Sequence, residues 1–363
     1  MSDLRVLNSM IEKGSAQDVL HHIRMNNINP NCFKNLPPSS VPVSVAAIAG
    51  HADVLNTLLS LGFMPHPDRQ PIHYAAIEGH LTVVQSLVED HNADIMSVDS
   101  KGHTPLYLAT LNDWFDVVKY LLEAGADVNN RGRMPPLILA VVHYKPDLCK
   151  FFLSYGADVN LRDNFGRSPL GTAARTGSVN IACELIQAGA DVNLSSRGGT
   201  PFLSASRFGK VSMMRLLSSQ GADVEACDQD GDTALHLAVN EGYYRVVRYL
   251  IVELCIPLDS VNDIGETAFF IALKKTDIAI MQLFIKVGYW PVSEMHKIEI
   301  NRTSEQFKLV SDIMSIPYSL QELACFKLRR TMGSRVTTSV NHLPVPQPVK
   351  EFILLCHLPF SRP

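Results

Sequence analysis

The sequence lacks the features of a membrane-spanning, secreted or disulfide-stabilised protein. No uninterrupted apolar run approaches the ~18 residues that a membrane helix needs, and residues 1–20 carry charges throughout instead of the apolar core of a signal peptide. The seven cysteines are odd in number, scattered and free of any Cys-x-x-Cys pair, so neither a disulfide framework nor a zinc knuckle is indicated. We therefore expect a soluble intracellular protein in the cytoplasm, with the nucleus as the alternative compartment.

The chain is also poor in charge and in aromatic residues, which form 19% and 7% of it. Thirty-two basic residues against thirty-six acidic ones give a net charge of −4, so the protein lacks the overall positive field of a nucleic-acid binder. Its 363 residues, 46% of them hydrophobic, suffice for two ordinary domains or for one long repeat array.

Motifs that mark common catalytic sites are missing as well. We find no G-x-x-x-x-G-K-[ST] phosphate loop, no G-x-G-x-x-G, no G-x-S-x-G and no H-E-x-x-H. No cluster of cysteine, histidine or paired carboxylates stands out either. The sequence therefore predicts a non-catalytic protein with no metal site and no cofactor.

A motif resembling T-P-L-H-x-A-A recurs eight times in the sequence. Successive copies are 29 to 34 residues apart, and their proline position is filled by Pro42, Pro71, Pro105, Pro136, Pro169, Pro201, Ala234 and Ala268. A fixed period of this size indicates stacked repeats, each of which buries its apolar face only against its neighbours.

Each copy is predicted to form a helix, a turn, a second helix and a hairpin. Thr104 can cap the first helix and Pro105 suits its first position, where the missing N–H costs nothing. A glycine follows two turns later in several copies, where a left-handed residue can end the helix; these are Gly50, Gly79, Gly177, Gly209 and Gly242. Apolar pairs at helical spacing mark the second helix, as in Val117, Val118, Leu121 and Leu122.

The period and the motif resemble those of the ankyrin repeat over residues 40–288. The resemblance implies an all-α ankyrin-repeat solenoid of about eight helix-turn-helix repeats, preceded by an N-terminal helical cap and linker over residues 1–39. Three copies depart from the pattern: Asn92 replaces a glycine, residues 144–146 interrupt the fourth copy, and the seventh ends in Leu-Cys-Ile-Pro over 254–257. His73 and His236 occupy the histidine position of the motif, where we expect them to form structural hydrogen bonds rather than bind a metal.

The repeat ends near residue 288, and a helical linker over 289–318 leads to a different pattern. Ser319-Leu-Gln-Glu322 is a capping box at the start of an apolar stripe that ends in two arginines before Gly333. A stiff Leu343-Pro-Val-Pro346 element and a short amphipathic helix, which ends at Leu355, follow it. By itself, the stripe of leucines fits a helical cap on the last repeat equally well.

The order of these parts over residues 319–357 resembles a SOCS box, a small helical module that recruits a ubiquitin ligase. The resemblance implies that an elongin C-binding helix over 319–333 uses Leu320, Leu323, Ala324, Leu328 and Arg329. It implies that a cullin box over 343–355 uses Leu343, Pro344, Val345 and Pro346. Ala324 departs from the cysteine usual at its position, with Cys325 one place later, so we expect a weaker affinity for elongin C.

The whole chain thus resembles the ankyrin-repeat and SOCS-box family. That implies a substrate-recognition subunit that binds a target for ubiquitination and proteasomal degradation, together with elongin B, elongin C, cullin-5 and a RING-box protein. Two alternatives stay open: a plain ankyrin scaffold whose C-terminal helices only cap the stack, and a decoy that holds elongins without engaging cullin.

Repeats four to six carry the candidate surface for the unknown protein substrate. Arginines and aromatic residues, the composition of interface anchors, gather in their hairpins and at the ends of their first helices. They are Arg131, Arg133, Tyr144, Arg162, Phe165, Arg167, Arg175, Arg197, Arg207 and Phe208. A cationic stripe on an acidic protein favours an acidic segment of the partner, while solvated surface residues are the alternative.

Overall fold

The fold is described by a computed structural model for residues 2–33, 36–130, 134–287 and 289. Arg131, Arg133, every predicted elongin-binding and cullin-binding residue, and nearly all of the 289–318 linker lie outside the described residues. The predicted boundaries of the linker and of the C-terminal box therefore stay predictions.

Eighteen α-helices follow one another in helix-turn-helix pairs within the described ranges, and no strand forms there. The N-terminal pair is α1 (Ser2–Lys13) and α2 (Ala16–Met25), followed by two short 3₁₀ turns, Pro30–Phe33 and Pro38–Ser40. Eight further pairs confirm the predicted repeats: α3 (Pro42–Ala49) and α4 (Ala52–Ser60), α5 (Pro71–Glu78) and α6 (Leu81–Glu89), α7 (Pro105–Leu111) and α8 (Phe115–Glu123), α9 (Pro136–Val142) and α10 (Pro146–Ser154), α11 (Pro169–Thr176) and α12 (Val179–Gln187), α13 (Pro201–Arg207) and α14 (Val211–Ser219), α15 (Ala234–Asn240) and α16 (Tyr244–Arg248), α17 (Ala268–Lys274) and α18 (Ile278–Lys286).

The first helices start where the sequence predicts. Thr104 accepts a hydrogen bond from the backbone N–H of Tyr107 at 3.2 Å, with Pro105 in the first helical position. Thr200 caps α13 in the same way, and Thr267 caps α17, which begins with Ala268 instead of proline. Each cap satisfies an N–H that the helix itself leaves unpaired, so the threonine and proline together fix the register of the repeat.

The three copies that depart from the ankyrin sequence pattern keep its left-handed turn residue. Asn92, Tyr144 and Cys255 have φ angles of +49°, +59° and +53°, so they adopt the left-handed conformation that glycine supplies elsewhere. The prediction that residues 144–146 interrupt the fourth copy is therefore wrong, because Tyr144 takes the glycine position and α10 begins at Pro146. In the seventh copy, α16 continues into a π-helical turn, Tyr249–Glu253, before Cys255.

Replacing Tyr144 by glycine is expected to stabilise the protein by about 0.5–1 kcal/mol. The left-handed conformation costs a non-glycine residue roughly 1–2 kcal/mol, and the extra entropy of an unfolded glycine returns part of that gain. Tyr144→Ala keeps the backbone strain and serves as the control, so its urea midpoint should stay near that of the wild type. A midpoint for Tyr144→Gly below that of Tyr144→Ala would contradict the prediction.

The described helices form two compact units, one of the described residues up to Pro169 with Gln187–Gly189, and one of Leu170–Ile186 with the described residues from Ala190 to 289. In the first unit, the first helices pack one against the next in the order α1, α3, α5, α7 and α9. In the second unit, α13, α15 and α17 pack in the same order. Small and aliphatic residues fill the spaces between them, as Ala75, Ala76 and Val83 do in the second repeat.

Side chains at the start of the second helices tie each repeat of the first unit to the one before it. His51 Nε2 lies 3.0 Å from the carbonyl oxygen of Glu12, and His80 Nε2 lies 2.8 Å from that of Ile48. Trp114 Nε1 donates to the carbonyl of Ile77 at 2.6 Å. We call these residues the turn ladder, and Lys145 extends it by donating to Asp113 Oδ2 at 2.6 Å.

Candidate protein-binding site

The eight described residues of the candidate substrate surface divide between the two units. Tyr144, Arg162, Phe165 and Arg167 belong to the first unit, and Arg175, Arg197, Arg207 and Phe208 belong to the second.

Arg167 is bound within its own hairpin. Its Nη2 lies 2.7 Å from Asp163 Oδ2 and its Nε donates to the same oxygen at 2.8 Å. The other carboxylate oxygen of Asp163 accepts the backbone N–H groups of Phe165 and Arg167, and the Asp163 side chain is only 1% exposed. Arg167 therefore neutralises a buried carboxylate that holds the hairpin closed.

Phe165 is the exposed end of that hairpin. The ring is 63% exposed, and the guanidinium carbon of Arg167 lies 4.7 Å from its centre. Arg162 on the same hairpin is exposed and pairs with none of the described residues. Arg162 and Phe165 are thus available to a partner, whereas Arg167 supports them from behind.

Arg207 in the second unit resembles Arg167 in its pairing. Its Nη2 lies 2.6 Å from Asp228 Oδ2, and the Asp228 side chain is 3% exposed. Asp228 Oδ1 also accepts the N–H groups of Asp230 and Asp232 at 3.0 Å, so the carboxylate organises the following hairpin. Arg197 is exposed at the preceding hairpin and forms no ion pair with the described residues.

Arg175 lies near Phe208, with its guanidinium carbon 5.9 Å from the centre of the ring. Arg175 forms no ion pair with a described residue, and its Nε is buried without a hydrogen-bond partner.

Lys210 was missed by the sequence analysis. Its side chain crosses Gly177, because Lys210 Cδ lies 2.9 Å from where a β-carbon of that glycine would stand. A signal was present, since a lysine follows Gly209 where two other repeats carry histidine after the glycine.

The histidines of the motif form structural hydrogen bonds, as predicted. His73 Nε2 lies 3.1 Å from the Ser97 carbonyl oxygen, and His236 Nε2 lies 3.0 Å from that of Glu266. Burial lowers the pKa of both imidazoles and outweighs the opposing hydrogen bonds and nearby carboxylates. Both rings therefore stay neutral near pH 7 and join successive hairpins.

The hairpin asparagines also link repeats. Asn129 Oδ1 accepts the backbone N–H of Asp158 at 2.8 Å, and Asn193 Oδ1 accepts that of Asp223 at the same distance. Asn160 Nδ2 lies 3.5 Å from the Gly189 carbonyl oxygen. These bonds give the recurrent Asp-Val-Asn sequence a structural reason.

Metal-ligand clusters and reactive thiols are the other features that could mark a chemical site. No group of three or more histidine, cysteine or acidic side chains is placed there to hold a metal ion. Burial raises the pKa of the Cys149 thiol to about 12, so this thiol is a poor nucleophile at neutral pH. None of the helices in the described ranges has the length and apolarity needed to cross a bilayer.

Comparison with known proteins covers both the repeats and the C-terminal segment. An ankyrin-repeat family model matches residues 43–132, 132–196 and 202–303, and a SOCS-box family model matches residues 317–354. The ankyrin matches cover well over half of the chain, and the SOCS-box match falls on residues that the structure does not describe.

Individual relatives share the repeats. Ankyrin repeat and KH domain-containing protein mask-1 of Caenorhabditis elegans is 28% identical over 276 residues, which are 73% of this chain and 10% of that protein. Alpha-latrocrustotoxin-Lt1a of Latrodectus tredecimguttatus is 33% identical over 120 residues, or 32% of this chain and 8% of the toxin. Protein fem-1 homolog A-like of Mus musculus is 34% identical over 102 residues, or 28% of this chain and 16% of that protein.

The matched region thus spans only a small part of each of these longer relatives, and what they share with this chain is the repeat. The SOCS-box match that follows the repeats adds the second module. With both modules matched in this order, the chain belongs to the ankyrin-repeat and SOCS-box family.

Proposed function

We propose that this protein is the substrate-recognition subunit of a cullin-RING ubiquitin ligase. The observation that carries the proposal is the SOCS-box match over residues 317–354, directly after the ankyrin repeats. In this proposal, the box binds elongin C and elongin B and engages cullin-5 with its RING-box protein, and the repeats hold a target for ubiquitination and degradation.

The chain itself supplies proximity rather than chemistry. Transfer of ubiquitin to a lysine takes place on the other subunits, and a receptor accelerates it by holding the target close to the thioester. A non-catalytic role agrees with the structural use of the histidines, of Asp163 and of Asp228 described above.

The link to the ligase is tested by co-purification. Elongins B and C are expected to purify with the wild-type protein and to be lost with Leu320→Pro plus Leu323→Pro, because proline breaks the helix that carries the leucine stripe. Unchanged recovery of elongins with the double variant would overturn the proposed elongin contact.

A matched control separates the two halves of the box. Leu343→Ala plus Pro344→Ala should keep elongins B and C and lose cullin-5, since the change falls in the predicted cullin box only. Elongins without cullin-5 on the wild-type protein would favour the decoy, and neither partner on the wild type would favour the plain ankyrin scaffold.

For the target, we propose a segment rich in acidic residues that contacts the arginines and aromatic rings of repeats four to six. Arg162, Arg197 and Phe165 support this, because they are exposed and the two arginines have no acidic partner among the described residues. Arg162→Glu plus Arg197→Glu should abolish capture of ubiquitinated targets from cells treated with a proteasome inhibitor, while elongin recovery stays unchanged. Undiminished capture would remove the acidic segment from the proposal.

A further inference from the structure

Three cations and one carboxylate lie on repeats five and six of the second unit. Arg175 ends the first helix of repeat five, Arg207 ends that of repeat six, and Lys210 crosses the turn between α11 and α12. Asp228 is the carboxylate, paired with Arg207 at 2.6 Å. We call these four residues with Phe208 the repeat-five cation cluster. Arg207 and Asp228 neutralise each other, so its formal charge of two positive comes from Arg175 and Lys210.

Lys210 adds to this cluster an ammonium group that pairs with none of the described residues. It occupies the turn-ladder position, where in the first unit His51, His80, Trp114 and Lys145 each make a hydrogen bond to the preceding repeat. Lys210 packs its carbon chain over Gly177 in the same manner, yet its Nζ forms no hydrogen bond or ion pair with the described residues. Within the described part of the chain its three donors have no acceptor, so they can bind a ligand.

Arg175 likewise has no polar partner among the described residues. Its guanidinium makes no hydrogen bond or ion pair with the described residues, and its Nε is buried without an acceptor. The Nε of Arg207 and the Oγ1 of Thr172, one turn before Arg175 on α11, are also buried without partners. A buried donor without an acceptor destabilises the protein. Because Arg175 makes no hydrogen bond to the described residues, it would break no such bond when it turns toward a ligand.

We propose that the repeat-five cation cluster binds the phosphate of a phosphorylated serine or threonine in a partner protein. A phosphoserine carries a charge of about −1.5 to −2 at neutral pH, which matches the net charge of the cluster, whereas a glutamate carries only half of it. The planar guanidinium of Arg175 can donate two parallel hydrogen bonds to phosphate oxygens, and Lys210 can act as a point charge beside them. The half-exposed Phe208 ring borders the site and offers apolar contact to a residue next to the phosphate.

This inference rests on the proposed function only in taking the phosphorylated protein to be the substrate. Phosphorylation would then decide when the substrate is captured, because the site lacks its anion until a kinase has acted. The unphosphorylated partner would leave the two unpaired cations without a counter-charge.

Fluorescence anisotropy with peptide mixtures tests the inference. The mixtures have random flanking residues around a fixed phosphoserine, glutamate or serine, and the full chain is used in complex with elongins B and C. Binding to the phosphoserine mixture should be at least about 10-fold tighter than to the serine mixture, as expected for two charge-assisted contacts. Equal binding of the serine and phosphoserine mixtures would overturn the inference, and equal binding of the glutamate mixture would replace phosphate by a simple acidic segment.

Two variants and a control keep the test specific. Arg175→Ala and Lys210→Gln should each remove most of the preference for phosphoserine, while Arg245→Ala should keep it, since Arg245 is an exposed arginine on α16. Inorganic phosphate in excess should compete with the phosphopeptides, and a phosphoserine preference retained by both site variants would overturn the inference. Elongin recovery is scored in the same preparations, so a failed phosphate site with elongins present leaves the receptor role standing, and phosphopeptide binding without elongins does the reverse.

Discussion

Replacing Gly79 by alanine is expected to lower the free energy of unfolding by about 3 kcal/mol. Gly79 ends α5 with φ +80°, which a side chain disfavours. In addition, an alanine β-carbon would stand 2.3 Å from Cδ2 of Trp114, so the indole would have to move. Movement of the ring breaks the bond from Trp114 Nε1 to the Ile77 carbonyl, which joins repeats two and three. Urea unfolding followed by far-ultraviolet circular dichroism measures the loss.

Gly62 provides the matched control for this prediction. It has φ +84°, yet no atom lies within 4 Å of where its β-carbon would stand. Gly62→Ala should therefore cost only the backbone term of roughly 1–2 kcal/mol. The difference between the two variants isolates the indole contact, and equal losses for both would show that Trp114 contributes nothing to the stacking of these repeats.

The fold was predictable from the sequence because residues with the same structural role recur at the same positions of each repeat. A threonine before proline caps the first helix, as at Thr104, and apolar pairs such as Val117 and Val118 must face the core. The departures were harder to predict, because the tyrosine at 144 has no intrinsic preference for a left-handed backbone. Only the alignment of Tyr144 with the glycines of other copies could indicate that conformation.

The candidate site was predictable in composition but not in pairing. The spacing of Asp163 and Arg167 allows the ion pair that the structure shows, whereas Arg207 and Asp228 are 21 residues apart and meet only through the stacking of repeats. The sequence therefore groups exposed arginines, such as Arg162, with arginines that neutralise buried carboxylates. Lys210 was missed because only the structure shows how it differs from the turn-ladder residues. Those residues bond to the preceding repeat, whereas Lys210 Nζ bonds to no described residue.

Charge reversal of Arg167 is expected to destabilise the repeats rather than to report on binding alone. Arg167→Glu would place a second carboxylate beside Asp163, whose side chain is 1% exposed and already accepts two backbone N–H groups. Breaking a buried pair by removing one partner costs about 3–5 kcal/mol, and the loss here should reach at least the lower end of that range. The urea midpoint should fall accordingly, and target capture would be lost with the fold of the hairpin.

A second change in the same hairpin separates charge repulsion from loss of shape. Asp163→Asn keeps an oxygen for the two backbone N–H groups and removes the negative charge. The free energy of unfolding of the double variant Asp163→Asn plus Arg167→Glu should therefore be roughly 1–2 kcal/mol higher than that of Arg167→Glu alone. Arg162→Glu should leave the free energy of unfolding within about 0.5 kcal/mol of the wild type, because Arg162 is exposed and no described residue pairs with it. An Arg162→Glu protein that folds normally but fails to capture its target would therefore assign the effect to binding. Equal destabilisation by Arg162→Glu and Arg167→Glu would contradict the role given to Asp163.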